Sequence, residues 1–159
     1  MAKQRRSASK QGKIRLLLVE ARYYTEISDA LLKGATRALR EAKAEFDRIS
    51  VPGALEIPAA IAIAIAAAKR RRRPYDGAIA LGCVIRGETF HFDIVATQSA
   101  RALIDLSVAQ QLPVSNGILT VDDESHALTR ANPDEGDKGG EAARTALAMV
   151  RLKRSLVGR

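Results

Sequence analysis

The sequence is poor in aromatic residues, cysteine and long apolar runs, and each shortage excludes a class of protein. It contains no tryptophan, and aromatic side chains make up only 4% of its 159 residues, so aliphatic side chains must fill the core. A single cysteine, Cys83, excludes an intrachain disulfide and favours a reducing compartment such as the cytoplasm. No uncharged apolar run reaches the roughly 18 residues that a membrane span needs. The apolar stretch after the basic start is also too short for a signal peptide.

Sequence patterns of several known chemistries are missing as well. Neither a Gly-x-Gly-x-x-Gly dinucleotide fingerprint nor a Walker phosphate loop is present, which leaves a nucleotide cofactor without support. The two histidines and one cysteine lie too far apart in sequence to suggest a zinc site. The sequence also lacks the nucleophile-elbow motif that would indicate serine-type hydrolysis. The sequence therefore predicts neither a cofactor nor a metal.

What is present is the composition of one globular domain. Apolar residues make up 47% and charged residues 28% of the chain, and its length falls within the ~100–200 residues of an ordinary domain. Residues 1–12 are polar and rich in Lys and Arg, and they predict a flexible basic arm. Residues 13–159 are then a single domain.

The net charge of +8 suits nucleic acid, a membrane surface or a phosphorylated ligand. The basic residues cluster in the arm and from Lys69 to Arg73. The second cluster falls at the end of a predicted helix, where cations complement the helix dipole. Sparse aromatics also argue against nucleic-acid binding.

Hydrophobic patterning predicts four strands that alternate with helices. Short apolar runs mark strands at 14–19, 46–51, 78–85 and 114–121, the last broken by Asn116-Gly117. Thr25 or Ser28 is the expected cap of the first helix. The stretch 55–72 alternates like a strand in its middle, but its high alanine content favours a helix.

Further helices are predicted at 89–110, 122–130 and 140–156. The ~20 or more residues between strands fit crossover helices and are too many for hairpins. The sequence thus predicts an α/β fold, a flavodoxin-like three-layer sandwich with a four-stranded parallel sheet.

The segment after the third strand, Arg86-Gly-Glu-Thr-Phe-His91, is the strongest candidate for chemistry. Ligands of such sheets bind at the carboxyl ends of the strands. Gly87 is expected to turn the chain with a positive φ and to leave helix amides open to an anion, with Thr89 adding a hydroxyl. His91 would then lie beside the anion and could transfer protons near neutral pH. A capping turn with a structural histidine is the alternative.

Other polar residues near the strand ends each allow two interpretations. Arg130 and Lys138 flank a loop and could direct cations onto a phosphate, or form a solvated surface pair. Glu56 could accept a hydrogen bond from a polar ligand, or serve as a first-turn helix acid. Cys83 ends an apolar strand, which favours packing over nucleophilic chemistry. His126 is interpreted as a surface residue.

Four segments of the chain match the motifs of one known family in order and spacing. They are Val51-Pro-Gly-Ala-Leu-Glu-Ile-Pro58, Gly82-Cys-Val-Ile-Arg-Gly-Glu-Thr-Phe-His-Phe-Asp93, Gly117-Ile-Leu-Thr120 and Asp137-Lys-Gly-Gly-Glu141. Together they resemble the lumazine synthase family. The resemblance implies a transferase in the penultimate step of riboflavin biosynthesis. Such an enzyme condenses 5-amino-6-(D-ribitylamino)uracil with L-3,4-dihydroxy-2-butanone 4-phosphate, giving 6,7-dimethyl-8-ribityllumazine, phosphate and water. It implies no cofactor and no metal, because Schiff-base chemistry depends here on proximity and proton transfer.

The resemblance also implies the roles of individual residues. His91 falls on the family's general acid/base histidine, Arg130 on its phosphate-binding arginine and Lys138 on the basic neighbour of that arginine. The other substrate contacts fall on a loop holding the butanone phosphate (Glu88, Thr89), a segment meeting the ribityl chain (Ala54, Leu55, Glu56) and a segment meeting the pyrimidine through its main chain (Cys83, Val84, Ile85).

Two positions depart from the family's pattern. The family's first strand usually ends in Arg-Phe-Asn, whereas this chain has Arg22-Tyr23-Tyr24, in which Tyr23 keeps a ring to stack on the pyrimidine. The family often has Phe before the glycine of the fourth strand, on the neighbouring subunit's side of the site. This chain has Asn116 there, which loses aromatic surface and gains hydrogen-bonding groups.

The resemblance implies a homo-oligomer, either a pentamer or an assembly of pentamers, with active sites between neighbouring subunits. The expected partners are therefore small-molecule substrates and further copies of the chain, with no nucleic acid and no membrane. The Asn116 departure motivates an alternative function, a lumazine- or flavin-binding assembly protein that turns over weakly or not at all.

Overall fold

The computed structural model describes residues 12–158, so the predicted arm, apart from its last residue, lies outside the described residues. Strands and helices alternate along the chain in the predicted order. The elements are β1 (Arg15–Ala21), α1 (Thr25–Glu41), β2 (Glu45–Val51), a 3-10 turn (Ala54–Glu56), α2 (Ile57–Arg70), β3 (Gly77–Ile85), α3 (His91–Gln110), β4 (Val114–Val121), α4 (Glu124–Ala131) and α5 (Lys138–Val157). None of the helices in this part of the chain has an apolar stretch that could cross a bilayer.

The strands form one parallel sheet in the order β2-β1-β3-β4, which confirms the predicted α/β fold. The chain moves from β1 to one side for β2 and then crosses to the other side for β3 and β4. Such a reversal opens a crevice at the carboxyl ends of the two central strands, where ligands of open parallel sheets bind. The topology therefore places the candidate site between the ends of β1 and β3.

Two apolar cores, one on each face of the sheet, give the three predicted layers. Successive side chains of β1 point to opposite faces of the sheet. Leu16 and Leu18 pack against α1, α4 and α5, whereas Leu17 and Val19 pack against α2 and α3. All four side chains are fully buried. Burial on both faces explains why this central strand reads as a continuous apolar run.

The ambiguous alanine-rich segment is a helix, as predicted. Ile57, Ile61 and Ile65 are buried at a spacing of four residues, while Ile63 between them is 70% exposed. The apolar pattern thus follows the helical period. Lys69 and Arg70 fall in the last turn, where their positive charges interact favourably with the negative end of the helix dipole.

Two details of the sequence prediction were wrong. Neither Thr25 nor Ser28 caps α1: the cap position is Tyr24, without a side-chain hydrogen bond, because the buried Ser28 hydroxyl turns inward and donates to the carbonyl of Ala21 (3.4 Å). β4 is also unbroken, with Asn116 and Gly117 paired to β3. A Cβ at Gly117 would lie 2.7 Å from the Ala80 carbonyl, so glycine allows a close approach there.

Candidate active site

A cavity of about 550 Å³ lies at the carboxyl ends of the central strands. The β1–α1 turn, the 3-10 turn after β2, the end of β3 and the start of α3 form its walls. Most of the site residues predicted from the sequence line this one cavity: Tyr23, Ala54, Leu55, Glu56, Cys83, Val84, Ile85, Thr89 and His91.

Two tyrosines form the wall contributed by the β1–α1 turn. Tyr23 is 75% exposed, and its ring meets the ring of Tyr24 edge-on, with centroids 4.9 Å apart and planes at 69°. Tyr24 is partly buried, which raises the pKa of its phenol. The exposed ring of Tyr23 offers a flat apolar face for a planar ligand.

The turn after β2 presents a carboxylate at the start of α2. Glu56 occupies the cap position of α2, near the positive end of that helix dipole. Its carboxylate folds back over the turn, since a Cβ at Gly53 would lie 2.8 Å from Glu56 Oε2. Glu56 is therefore a helix-start acid that also lines the cavity, and its hydrogen bond to a ligand stays a prediction.

The end of β3 supplies half-buried main chain and one thiol. Burial, with a smaller effect of the Glu124 carboxylate, raises the pKa of Cys83 to about 11. The thiol is therefore protonated at neutral pH and is a poor nucleophile. This supports the interpretation of Cys83 as a packing residue of the cavity wall.

The loop between β3 and α3 has open amides. The amide nitrogens of Gly87, Glu88, Thr89 and Phe90 donate no hydrogen bond to any of the described residues. His91 begins α3 and is exposed, and its own amide reaches the Thr89 hydroxyl at 3.4 Å. Unpaired amides at a helix start, with a hydroxyl beside them, suit a phosphate.

The expected conformation of Gly87 was wrong. No glycine in residues 12–158 has a positive φ, and a Cβ built at Gly87 would meet nothing within 4 Å. The chain turns here with ordinary dihedral angles, so the glycine is not needed for the turn. What it provides is open space beside the amides.

Several cavity residues were not among the site residues predicted from the sequence. Tyr24, Pro52, Phe92 and Val95 also line the cavity. Val95 could have been found from helical spacing, because a residue four positions after His91 lies on the same face of α3. The buried carboxylate of Glu20 was missed too, although a charge inside an apolar run was visible in the sequence.

The Glu20 side chain is 1% exposed and lies outside the cavity, in an ion-pair network at the end of β1. It accepts hydrogen bonds from Arg22 Nη1 (3.1 Å), Arg48 Nε (2.5 Å) and Ser50 Oγ (3.1 Å). Buried charge persists only where such partners compensate the loss of water. The network fixes the strand end from which the Tyr23 turn departs.

The sequence model of a protein family described as 6,7-dimethyl-8-ribityllumazine synthase matches residues 13–154. That match spans every strand and nearly all of α5.

The chain belongs to this family.

Relatives from the lumazine synthase family cover most of the chain. Proteins named 6,7-dimethyl-8-ribityllumazine synthase are 62% identical over 138 residues in Methylocella silvestris (87% of this chain, 84% of the relative) and 57% identical over 147 residues in Agrobacterium fabrum (92% and 99%). A protein of Rhodopseudomonas palustris, named 6,7-dimethyl-8-ribityllumazine synthase 1, is 60% identical over 142 residues (89% and 87%).

The residues predicted from the lumazine synthase motifs do not all lie in one cavity. Glu88, Asn116, Arg130 and Lys138 do not line the cavity that holds His91. Asn116 lies in a separate groove of about 340 Å³ between α3 and β4. Lys138 begins α5, where its Nζ lies 3.4 Å from Glu141 Oε1.

Arg130 lies near the end of α4, where its Nη1 reaches the carbonyl of His126 at 3.4 Å. Its side chain is exposed, as is that of His126, which fits the interpretation of His126 as a surface residue. A single copy of the chain thus does not bring Arg130, Lys138 and His91 into one cavity.

Proposed function

We propose that the chain is a 6,7-dimethyl-8-ribityllumazine synthase. It condenses 5-amino-6-(D-ribitylamino)uracil with L-3,4-dihydroxy-2-butanone 4-phosphate in riboflavin biosynthesis. One observation carries the proposal: the family match over residues 13–154 includes the segments that line the strand-end cavity. A reducing compartment stays the prediction for its location, since the sequence has a single cysteine.

The cavity is suited to hold the two substrates side by side. The pyrimidine stacks on the ring of Tyr23 and meets the main chain of Cys83 to Ile85, and the ribityl chain meets the turn that carries Glu56. The phosphate of the second substrate binds at the open amides after Gly87. Binding both molecules in reacting geometry supplies much of the rate enhancement for a reaction of this kind.

Proton transfer is the contribution of His91. The exocyclic amine of the pyrimidine attacks the ketone, and loss of water gives a Schiff base. Loss of a proton from the adjacent carbon then expels phosphate and leaves an enol, which becomes a ketone when its terminal carbon takes up a proton. Attack of the second nitrogen on this ketone closes the ring with loss of another water. An imidazole beside the phosphate can accept and return the protons of these steps.

A neighbouring copy of the chain completes the site with Arg130, Lys138 and Asn116. The separation of these residues from the His91 cavity supports this arrangement, and so does an exposed apolar stripe on α3. The stripe follows helical spacing from the turn before His91: Phe90, Ile94, Ile104 and Val108. Apolar surface of this kind marks an interface. A head-to-tail contact that joins two different surfaces closes into a ring such as the expected pentamer.

Mixing the two substrates with the protein tests the reaction. We expect release of inorganic phosphate together with the absorbance of the lumazine product, in equal amounts. A protein that binds the pyrimidine, yet releases no phosphate, would instead be the binding and assembly protein suggested by Asn116. Replacing Asn116→Phe in the same assay shows whether this departure from the family's pattern limits substrate affinity.

Mixing two inactive variants tests the shared site. His91→Ala and Arg130→Ala are each expected to lose most activity. Unfolded together in equal amounts and refolded, they should regain about a quarter of wild-type activity, because half of the copies at each of the two positions of a shared site carry the intact residue. No recovery would mean that one chain supplies both residues to each site.

A further inference from the structure

Arg86 joins three segments of the chain around the start of α3. Its main-chain nitrogen donates to the carbonyl of Val121 (2.9 Å), and its Nε donates to Asp122 Oδ1 (3.0 Å). Its Nη1 lies 3.7 Å from Asp93 Oδ2. The guanidinium carbon lies 4.3 Å from the centroid of the Phe92 ring. One side chain thus contacts the end of β4 and the first turn of α3 at once.

Two of these partners adjoin His91 in the chain. Phe92 and Asp93 directly follow the histidine, and Phe92 lines the cavity. Hydrogen bonds hold the first residue of α3 only weakly: within residues 12–158 no side chain caps the helix at Phe90, and the one side-chain hydrogen bond of the His91 amide is the long one to Thr89 (3.4 Å). The direction in which His91 leaves the helix therefore depends on what holds Phe92 and Asp93.

The contacts of Arg86 also distinguish it from a phosphate ligand. Its side chain does not line the cavity, and two carboxylates and an aromatic face already surround the guanidinium. Half-exposed ion pairs of this kind contribute little to stability. Their geometric effect is larger, since a small misplacement of a reacting group reduces the rate strongly.

We propose that Arg86 is a positioning residue that sets the orientation of His91 and of the open-amide loop. It acts through a planar guanidinium that stacks on Phe92 while pairing with Asp93 and Asp122. Lysine cannot replace it, because an ammonium group carries the same charge without the planar fork. The kinetic part of the inference rests on the proposed function, in which His91 transfers protons.

Steady-state kinetics of four variants test the proposal. Arg86→Lys, which keeps the charge, should lower kcat about tenfold and leave KM for the uracil substrate unchanged. Asp122→Asn should lower kcat in the same way by a smaller factor. The double variant Arg86→Gln/Asp122→Asn should be no slower than Arg86→Gln alone, since the pair acts as a unit.

Arg73→Gln is the matched control. Arg73 also forms an exposed ion pair, with Glu45 (4.0 Å), but at the amino ends of the strands, and its removal should leave both constants unchanged. A wild-type rate for Arg86→Lys would overturn the proposal. So would a raised KM for the butanone phosphate and weaker inhibition by inorganic phosphate at unchanged kcat, because those results describe direct phosphate binding by Arg86.

A spectroscopic readout separates failure of this inference from failure of the proposed function. The chain has two histidines, so a His126→Gln variant assigns the ring proton resonances of His91. These resonances should shift between wild type and Arg86→Lys even if the wild-type protein releases no phosphate. An unchanged His91 spectrum would overturn the positioning role, whatever the activity.

Discussion

Two side chains of the same cavity, Cys83 and His91, differ in how far they are exposed to water. The thiol is half-buried at the end of β3, and that burial disfavours its thiolate form. The imidazole is exposed at the first residue of α3. Of the two, we propose that His91 is the group that transfers protons.

Replacing the histidine tests this assignment directly. His91→Ala should reduce kcat about a hundredfold, as expected for a lost general acid/base. His126→Ala is the control, since that imidazole is exposed and pairs with Asp123 (3.2 Å) on α4. Equal losses in the two variants would remove His91 from the mechanism.

The thiol gives a second test at this scale. A pKa of about 11, against an ordinary value of 9.0, leaves roughly a hundredfold less thiolate at neutral pH. Alkylation of Cys83 by iodoacetamide should therefore be about a hundred times slower than that of free cysteine at pH 7 and should accelerate up to pH ~11. Labelling at the rate of the free amino acid would contradict the burial of this thiol.

The residues that line the cavity were predictable where a motif segment lies at the end of a predicted strand. Cys83, Val84 and Ile85 follow from a strand pattern whose end must face the crevice. Gly87 shows the limit, because a glycine after a strand is compatible with several dihedral angles and only the surrounding structure selects one. The contacts of Arg86 were not predictable either, since Asp122 is brought to it by β4.

Helices α1 and α5 approach each other through glycine. A Cβ at Gly139 would lie 1.9 Å from the carbonyl oxygen of Leu31, far inside van der Waals contact. The same end of α5 is held by Asp137, whose side chain accepts a hydrogen bond from the amide of Gly140 (3.2 Å) and pairs with Arg144 (3.1 Å). Close backbone packing and a side-chain cap together fix where α5 begins, and with it the position of Lys138.

Overpacking this contact should destabilise the fold. Gly139→Ala is expected to lower the free energy of unfolding by about 1–3 kcal/mol, measured by urea denaturation. Gly87→Ala is the matched control: with open space around it, its effect should stay within about 0.5 kcal/mol. A similar loss in both variants would mean that intrinsic glycine effects, and not the α1–α5 contact, dominate.

Elements were predicted better than their ends. The strands and the alanine-rich helix follow from periodicity, which burial enforces along the whole segment. A cap depends on a single hydrogen bond between one side chain and one amide. The sequence alone does not show whether the Ser28 hydroxyl caps α1 or bonds to the end of β1. The caps that do form, Asp123 on α4 and Asp137 on α5, precede helices whose starts the apolar pattern located only approximately.

At the scale of the whole molecule, the sequence predicted a parallel four-stranded sheet but not the order of its strands. Parallel strands with crossover helices follow from the spacing of the apolar runs, and the reversal between β1 and β3 fixes where ligands bind. The family resemblance implied that the motif residues divide between neighbouring subunits, but the sequence pattern of a single element does not show which of them leave the cavity. That depends on how the layers place α4 and α5.

The apolar stripe on α3 provides the test at this scale. Ile104→Asp should convert the assembly to smaller species in light scattering and abolish activity while preserving the circular dichroism spectrum, because a buried carboxylate at an interface is costly. Leu156→Asp is a control of similar exposure, 64% against 61% for Ile104, at the far end of α5. An Ile104→Asp protein with unchanged mass would place the interface elsewhere.

The distance of Arg130 and Lys138 from the His91 cavity has a consequence for reaction order. If each turnover needs two chains, the initial rate at high dilution rises with the square of enzyme concentration, and it becomes linear once the chains are associated. Specific activity then falls on dilution although every substrate is saturating. A cell making too little of this polypeptide would lose flux out of proportion to the amount it lacks.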